Sequence, residues 1–240
     1  MRLTKRFRLA ALLLALLLPL PGCQRAAQTL APTTKRVALT FDDGPGGSYT
    51  RQLIDILDAH DAHATFFVLG SRVSEDPDLL RELVAHGHQV GSHTWNHVTL
   101  AGLSQERIAQ EIATSAQAIE GASGVRPTLL RPPYGQINQR VLQAANDQQM
   151  AIVLWNIDTL DWKSQNADAV CQRVFSQVHD GDIILMHDIF GSTVQAAERV
   201  VKGLSEQGYS FVTVQELLEH PQIGSIYRSR DITITAGSLP

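Results

Sequence analysis

The sequence is poor in cysteine: Cys23 and Cys171 are the only two in 240 residues. Two thiols do not make a disulfide framework, so the fold must rest on a hydrophobic core, which a chain of this length builds readily. Excess positive charge is missing too, with 20 Lys+Arg against 24 Asp+Glu. Removing residues 1–22 takes away four cations and no acid and leaves a net of −8. Phosphate binding needs a basic face, so nucleic acid is excluded as a partner. The apolar run from Leu9 to Leu20 has 12 residues, too short for a spanning helix of about 20. No Gly-x-Gly-x-x-Gly follows the first strand-like segment, which removes support for a dinucleotide-binding domain. There is no internal repeat and no low-complexity segment.

Export is what the amino terminus predicts. Arg2, Lys5, Arg6 and Arg8 precede the short Leu/Ala run, and Gly22 stands before the break. A basic start, an apolar middle and a small residue read as a signal peptide over residues 1–22. Leu20-Pro21-Gly22-Cys23 resembles a bacterial lipoprotein processing site, at which Cys23 becomes the lipidated first residue. Pro21 departs from the small or β-branched residue usual there, and simple secretion is the alternative. The expected location is therefore periplasm, cell envelope or medium, with membrane contact only through an anchor at Cys23. Residues 23–35 read as a polar linker, 36–220 as one domain and 221–240 as a tail. A monomer is expected.

From Arg36 onward, strand-like and helix-like segments alternate. Strands are expected at 37–41, 64–69, 88–91, 128–131, 150–157, 182–186 and 210–213. Asp76-Pro77 and Ser104 open helices, and Gly87 and Gly208 close them. A helix over 166–178 is predicted to turn Val170, Val174, Phe175 and Val178 inward. Such alternation predicts an α/β fold with about seven parallel strands and right-handed crossovers. In the tail, residues 232–234 could add an edge strand, or the segment could be loosely attached.

The conspicuous polar residues fall at the carboxyl ends of those strands. They are Asp42-Asp43, His93-Thr94-Trp95-Asn96-His97, Arg131-Pro132-Pro133-Tyr134-Gly135, Asp158-Thr159-Leu160-Asp161-Trp162 and His187-Asp188. In a parallel barrel these ends converge on one face, where sites are built. His60, His63, His86 and His88 lie at the opposite ends, and His179 and His220 end helices. All six read as surface or helix-end histidines. His93 and His97 are four apart, which puts both imidazoles on one side of a helical turn; with one carboxylate they form an Asp-His-His set with an open position. Adjacent aspartates oppose each other's ionisation, and a metal's charge makes them tolerable. Strand alternation is expected to send Asp42 and Asp43 to opposite sides. Cys171 reads as a small buried hydrophobe.

Those five segments, the last extended back to Leu185-Met186-His187 and the first spanning Thr40 to Pro45, resemble the ordered motifs of the polysaccharide deacetylases, the NodB-homology domain of carbohydrate esterase family four. The resemblance covers roughly residues 36–219. It implies a distorted, incomplete (β/α) barrel and a metal-dependent amidase acting on an acetylated polysaccharide. The metal implied is Zn²⁺, with Co²⁺, Ni²⁺ or Mn²⁺ able to serve. Asp43, His93 and His97 would hold it. Asp42 would be the general base, kept in place and ionised by Arg131. The Tyr134 N–H would face the oxyanion, and His187, held charged by Asp161, would protonate the leaving amine. Trp162 and Leu185 would wall a pocket for the acetyl methyl. Asp158 has no assigned task, and Asp188 is a candidate for supporting the site from behind.

Three functions follow. The first is N-deacetylation of an N-acetylglucosamine-type polymer such as peptidoglycan, chitin or poly-N-acetylglucosamine. The second is O-deacetylation of acetylxylan. The third is an inactive envelope module that only binds glycan.

Overall fold

The computed structural model describes residues 34–239. The export signal, Cys23 and most of the linker lie outside the described residues. The elements run β1 (Lys35–Asp42), α1 (Ser48–Asp58), β2 (Ala64–Val68), α2 (Pro77–Ala85), β3 (Gln89–Ser92), α3 (Gln105–Ser123), β4 (Leu129–Leu130) and α4 (Gln139–Asp147). They continue with β5 (Ala151–Val153), β6 (Ile157–Asp158), α5 (Asp161–Ser164), α6 (Ala167–Gln177), β7 (Ile183–His187), α7 (Gly191–Ser205), β8 (Tyr209–Phe211), α8 (Val214–Leu217), β9 (Ile226–Tyr227) and β10 (Thr233–Ile234).

Local chemistry accounts for the helix ends. Asp76 accepts from Leu79 N–H ahead of Pro77, Ser104 accepts from Arg107 N–H, and Gly124 ends α3 in the left-handed conformation. Each helix buries one stripe, Leu53, Ile54 and Leu57 on α1 and Ile108, Ile112, Ala116 and Ile119 on α3. On α6 the inward stripe is Val170, Cys171 and Val174. Phe175, expected inside, is 41% exposed; the ring lies against Gly203 of α7 at the rim of the helix pair.

The strands form one sheet in the order β10-β9-β5-β4-β3-β2-β1-β7-β6, with β8 on the amino-terminal part of β1. Every pairing is parallel except β10 on β9. The expected strand 150–157 is in fact two. β5 pairs with β4 and β9, whereas β6 pairs with β7 at the far end of the sheet. Val153 and Ile157 are separated by only three residues, a reach of at most about 15 Å. The sheet must therefore curl until its flanks nearly meet. The result is an incomplete barrel whose open side is crossed by the chain at Leu154–Asn156 rather than by a ladder.

Strand alternation then sorts side chains into two layers. Val37, Leu39 and Phe41 of β1 join Phe66, Ile184 and Met186 in the layer beneath the helices. Ala38, Phe67, Leu129, Val153 and Ile183 pack as a smaller inner cluster. Thr40 and Asp42 share parity with Ala38, and Leu185 and His187 share it with Ile183. The inner layer thus changes from apolar to polar toward the carboxyl ends of the strands.

The tail is docked. β9 adds to β5, Ile226 is fully buried with Ile152 and Leu130, and Ser229 bridges to Asp182 just before β7. We predict that Ile226→Ala destabilises the protein by about 2–4 kcal/mol in chemical denaturation. A change near zero would mean that the tail contributes no core.

Candidate active site

Arg131 organises the polar end of the barrel. It is fully buried and lies over the Phe67 ring at 4.1 Å. Its Nη1 donates to Asp42 Oδ1 and to Thr40 Oγ1, each at 2.7 Å. Its Nε and Nη2 donate to the carbonyls of Val153 and Leu154 at 3.3 and 2.9 Å. Those carbonyls belong to the segment where the chain leaves β5, so the break in the expected strand supplies acceptors for the guanidinium. Burial pushes the Asp42 carboxyl up from its usual range, and Arg131, His187 and His97 oppose this without cancelling it. Arg131 pairs with Asp42 and lowers its carboxyl in the expected direction, while desolvation is the larger effect.

Asp43, His93 and His97 come together by a different route from the one expected. β1 ends at Asp42, and Asp43 has φ 71°. The left-handed turn, not strand alternation, separates the two carboxylates. Both still approach one imidazole: His93 Nε2 is 3.7 Å from Asp42 Oδ2 and 3.4 Å from Asp43 Oδ1. The histidines do not share a helical turn either. Residues 93–97 form an irregular loop with φ 71° at Thr94 and 57° at His97. Glu111 of α3 holds that loop, accepting from Asn96 N–H at 2.9 Å and from its Nδ2 at 3.2 Å.

His93 Nδ1 lies 2.7 Å from the Arg131 carbonyl and must donate to it, which leaves Nε2 as the lone-pair nitrogen. Burial pushes this imidazole down to about 3, so it is neutral. His97 Nε2 lies 3.3 Å from the same Asp43 Oδ1. That buried oxygen has no hydrogen-bond partner. Two ring nitrogens converging on an orphaned carboxylate oxygen, all three donors within 4.8 Å of one another, fit a divalent cation.

Opposite them stands His187. Its Cα is paired in register with that of Asp42 across β1 and β7. Nδ1 contacts Asp161 Oδ1 at 2.8 Å, and the His187 N–H donates to Asp161 Oδ2 at 2.7 Å. Thr193 Oγ1 and Trp162 N–H also donate to this carboxylate, at 2.7 and 2.9 Å. Burial alone would lower the imidazole, but the Asp161 hydrogen bond and charge, with Asp42 and Asp43 behind, lift it to about 9. Asp161 is held below the usual carboxylate range because the His187 and Thr193 hydrogen bonds outweigh its burial.

These groups open on a cavity of about 380 Å³, walled by Tyr134, Trp155, Asp158, Trp162 and Leu185. Tyr134 has φ 61° after two prolines, and the backbone hydrogen bonds of its turn are donated by Gly135 and Gln136. Its ring stands edge-on to His97 at 4.9 Å. Asp158 spends Oδ1 on the Leu160 N–H. Asp188 lies outside the cavity, fully buried beneath Gly44 and Gly46, and accepts from Thr50. A Cβ on Gly46 would stand 2.0 Å from the Asp188 carbonyl oxygen, so only glycine fits. Asp42, Asp43, His93, His97, Tyr134, Trp162, Leu185 and His187 thus line one cavity, Arg131 and Asp161 bind two of them from behind, and Asp188 stands apart.

The remaining histidines stay away from it. His86 pairs with Asp58 at 2.6 Å. His88 departs from the surface reading: it is 4% exposed, packs on Phe66, and burial pushes it down to about 4. The residues that pattern reasoning missed are Trp155, Thr193 and Glu111, and Thr40 stood in the first motif without a task. Trp155 lies inside the run expected as one strand over 150–157, and Thr193 and Glu111 look like ordinary helix residues.

The family model described as polysaccharide deacetylase matches residues 30–153. The peptidoglycan-N-acetylmuramic acid deacetylase PdaC of Bacillus subtilis is 43% identical over 80% of this chain, which spans 40% of that protein. Its solved structure superposes with a TM-score of 0.75 at 43% identity, over 79% of this chain and 93% of that one. A peptidoglycan-N-acetylglucosamine deacetylase of Bacillus cereus is 38% identical over 78% of this chain and 89% of its own. A family 4 acetyl xylan esterase from Clostridium thermocellum, solved with a cobalt ion, gives a TM-score of 0.77 at 32% identity, over 82% of this chain and all of that one. The chain belongs to the polysaccharide deacetylase family.

Proposed function

We propose that this protein is an exported N-deacetylase of N-acetylglucosamine-type polymers, with peptidoglycan the foremost substrate class. The observation that carries the reading is the pairing of two differently held groups across one cavity. Asp42 has Oδ1 fixed by Arg131 and Oδ2 directed toward His93. His187 is held as an imidazolium by Asp161. One accepts a proton and the other has one to give, which is what hydrolysis of an amide requires.

Asp43, His93 and His97 would hold the metal. Two imidazoles and one carboxylate with room for a further ligand favour Zn²⁺, with Co²⁺, Ni²⁺ or Mn²⁺ as alternatives. When bound, a divalent ion supplies Lewis acidity toward the acetamide carbonyl and toward a water. Asp42 Oδ2 takes the proton of the attacking water, and its raised proton affinity makes it a better base. The Tyr134 N–H donates to the oxygen that gains charge as the carbonyl carbon becomes tetrahedral. Asp161 fixes Nδ1 of His187, so the proton that reaches the leaving nitrogen comes from Nε2. Trp162 and Leu185 give the acetyl methyl an apolar wall.

The likeness to an acetyl xylan esterase keeps O-deacetylation as the second reading. His187 held near 9 favours the amide, because an amine leaves only when protonated whereas an alkoxide needs less help. Export rests on the basic and apolar start of the sequence and on the likeness to peptidoglycan deacetylases. In this reading residues 1–22 are the signal, 23–35 the tether with Cys23 as its anchor point, and the rest the enzyme.

Purified enzyme, stripped with chelator and reloaded with Zn²⁺, is expected to release acetate from peptidoglycan strands or chitooligosaccharides faster than from acetylxylan. The reverse order would replace this reading with the esterase one. The rate should also fall as pH rises through about 9, where His187 loses its proton. Asp161→Asn should move that alkaline limb down by roughly one to two pH units. An unmoved limb would remove His187 as the acid.

A further inference from the structure

We propose that Arg228 forms a subsite for a carboxylate on the glycan, so that the enzyme prefers polymers carrying acidic sugars. This deepens the deacetylase reading and rests on it. Arg228 lies in the tail, which the family model does not reach. With Tyr134, Gly135, Leu154 and Trp155 it lines a cavity of about 100 Å³. That cavity shares Tyr134 and Trp155 with the main one, so the two lie side by side with these rings as a common wall.

The placement of Arg228 is built in. Before it, Tyr227 accepts from Leu154 N–H at 2.7 Å and Ile226 is fully buried. After it, Ser229 is buried and bridges to Asp182. Its own N–H donates to the Ile232 carbonyl at 2.8 Å. The backbone is thus fixed on both sides while the side chain remains exposed.

Its charge is unspent. Arg230, two residues on, is bound by Asp180 and Asp231, and Arg36 by Glu219. Arg228 makes no ion pair among the described residues. Of the residues lining the two cavities it is the one Arg or Lys, beside a compartment lined by Asp42, Asp43 and Asp158. Arg131, the other guanidinium nearby, is sealed from solvent and consumed by Asp42.

A guanidinium offers a planar fork of donors that matches a carboxylate, and the half-open faces of Tyr134 and Trp155 suit the apolar face of a sugar ring. Gly135, whose Cβ would stand 3.2 Å from Trp155, lines the smaller cavity without a side chain. A polymer with its acetamide at His187 would therefore extend a neighbouring ring toward Arg228. An acidic substituent on that sugar, such as a lactyl carboxylate, would meet the cation.

The test uses peptide-free peptidoglycan strands and the same strands with their carboxylates reduced to alcohols. Wild type should favour the native strands. Arg228→Ala should lower the ratio of kcat/KM for native over reduced strands about tenfold, mostly through KM, and Arg228→Lys should restore part of it. The preference should also weaken with added salt. Calorimetric binding of both strands to Asp42→Asn protein, with and without Arg228→Ala, reads the subsite without turnover. If deacetylation fails but Asp42→Asn binds native strands better in an Arg228-dependent way, only the functional reading falls. If wild type turns over both strands equally, or Arg228→Ala leaves the ratio unchanged, the subsite is overturned.

Discussion

The buried pair of Arg131 and Asp42 is the constraint on which the rest depends. Taking both charges out of water costs several kcal/mol per ion, and the cost is offset only if their donors and acceptors find partners. Arg131 places four of its five N–H groups, on Thr40, Asp42 and the carbonyls of Val153, at the end of β5, and Leu154. That demand explains the break in the strand expected over 150–157. A continuous strand would commit the Val153 and Leu154 carbonyls to a ladder, and the chain could not cross the open side of the barrel. Filling the upper barrel with a guanidinium also fixes the Arg131 carbonyl, which selects the tautomer of His93. One residue thus ties the fold to both Asp42 and His93.

The second consequence is the division of labour between Asp42 and Asp43. They are neighbours in sequence and both approach His93, yet their surroundings differ. Asp42 is buried against a cation; Asp43 turns out through a left-handed residue and keeps an oxygen without a partner. Across the cavity, Asp161 stabilises the charged form of His187 through hydrogen bonds to both its ring and its backbone. In the proposed mechanism, carboxylates in one small space take distinct roles because each has a different set of fixed donors.

Much of this was legible in the chain. Short apolar, strand-like runs alternating with capped helices gave a parallel α/β fold, and placing the polar clusters at strand ends put them on one face. His86 and Cys171 also behaved as their positions suggested. What was not legible depends on backbone turns and on long-range contacts. Positive φ at Asp43, Thr94 and His97 leaves no mark in residue type, because none is glycine. The burial of His88 depends on Phe66 packing from another element, and Phe175 is exposed because α6 meets α7 over Cys171 instead. The tail showed no helical period, and only its seat on β5 and at Asp182 reveals that it is part of the barrel wall.

Anomalous diffraction from crystals soaked in Zn²⁺ tests the division of the two aspartates most directly. A single peak bonded to Asp43, His93 Nε2 and His97 Nε2, with Asp42 still on Arg131, is the predicted result. A peak bonded to Asp42 in place of Asp43, or ordered zinc only elsewhere on the protein, would contradict it.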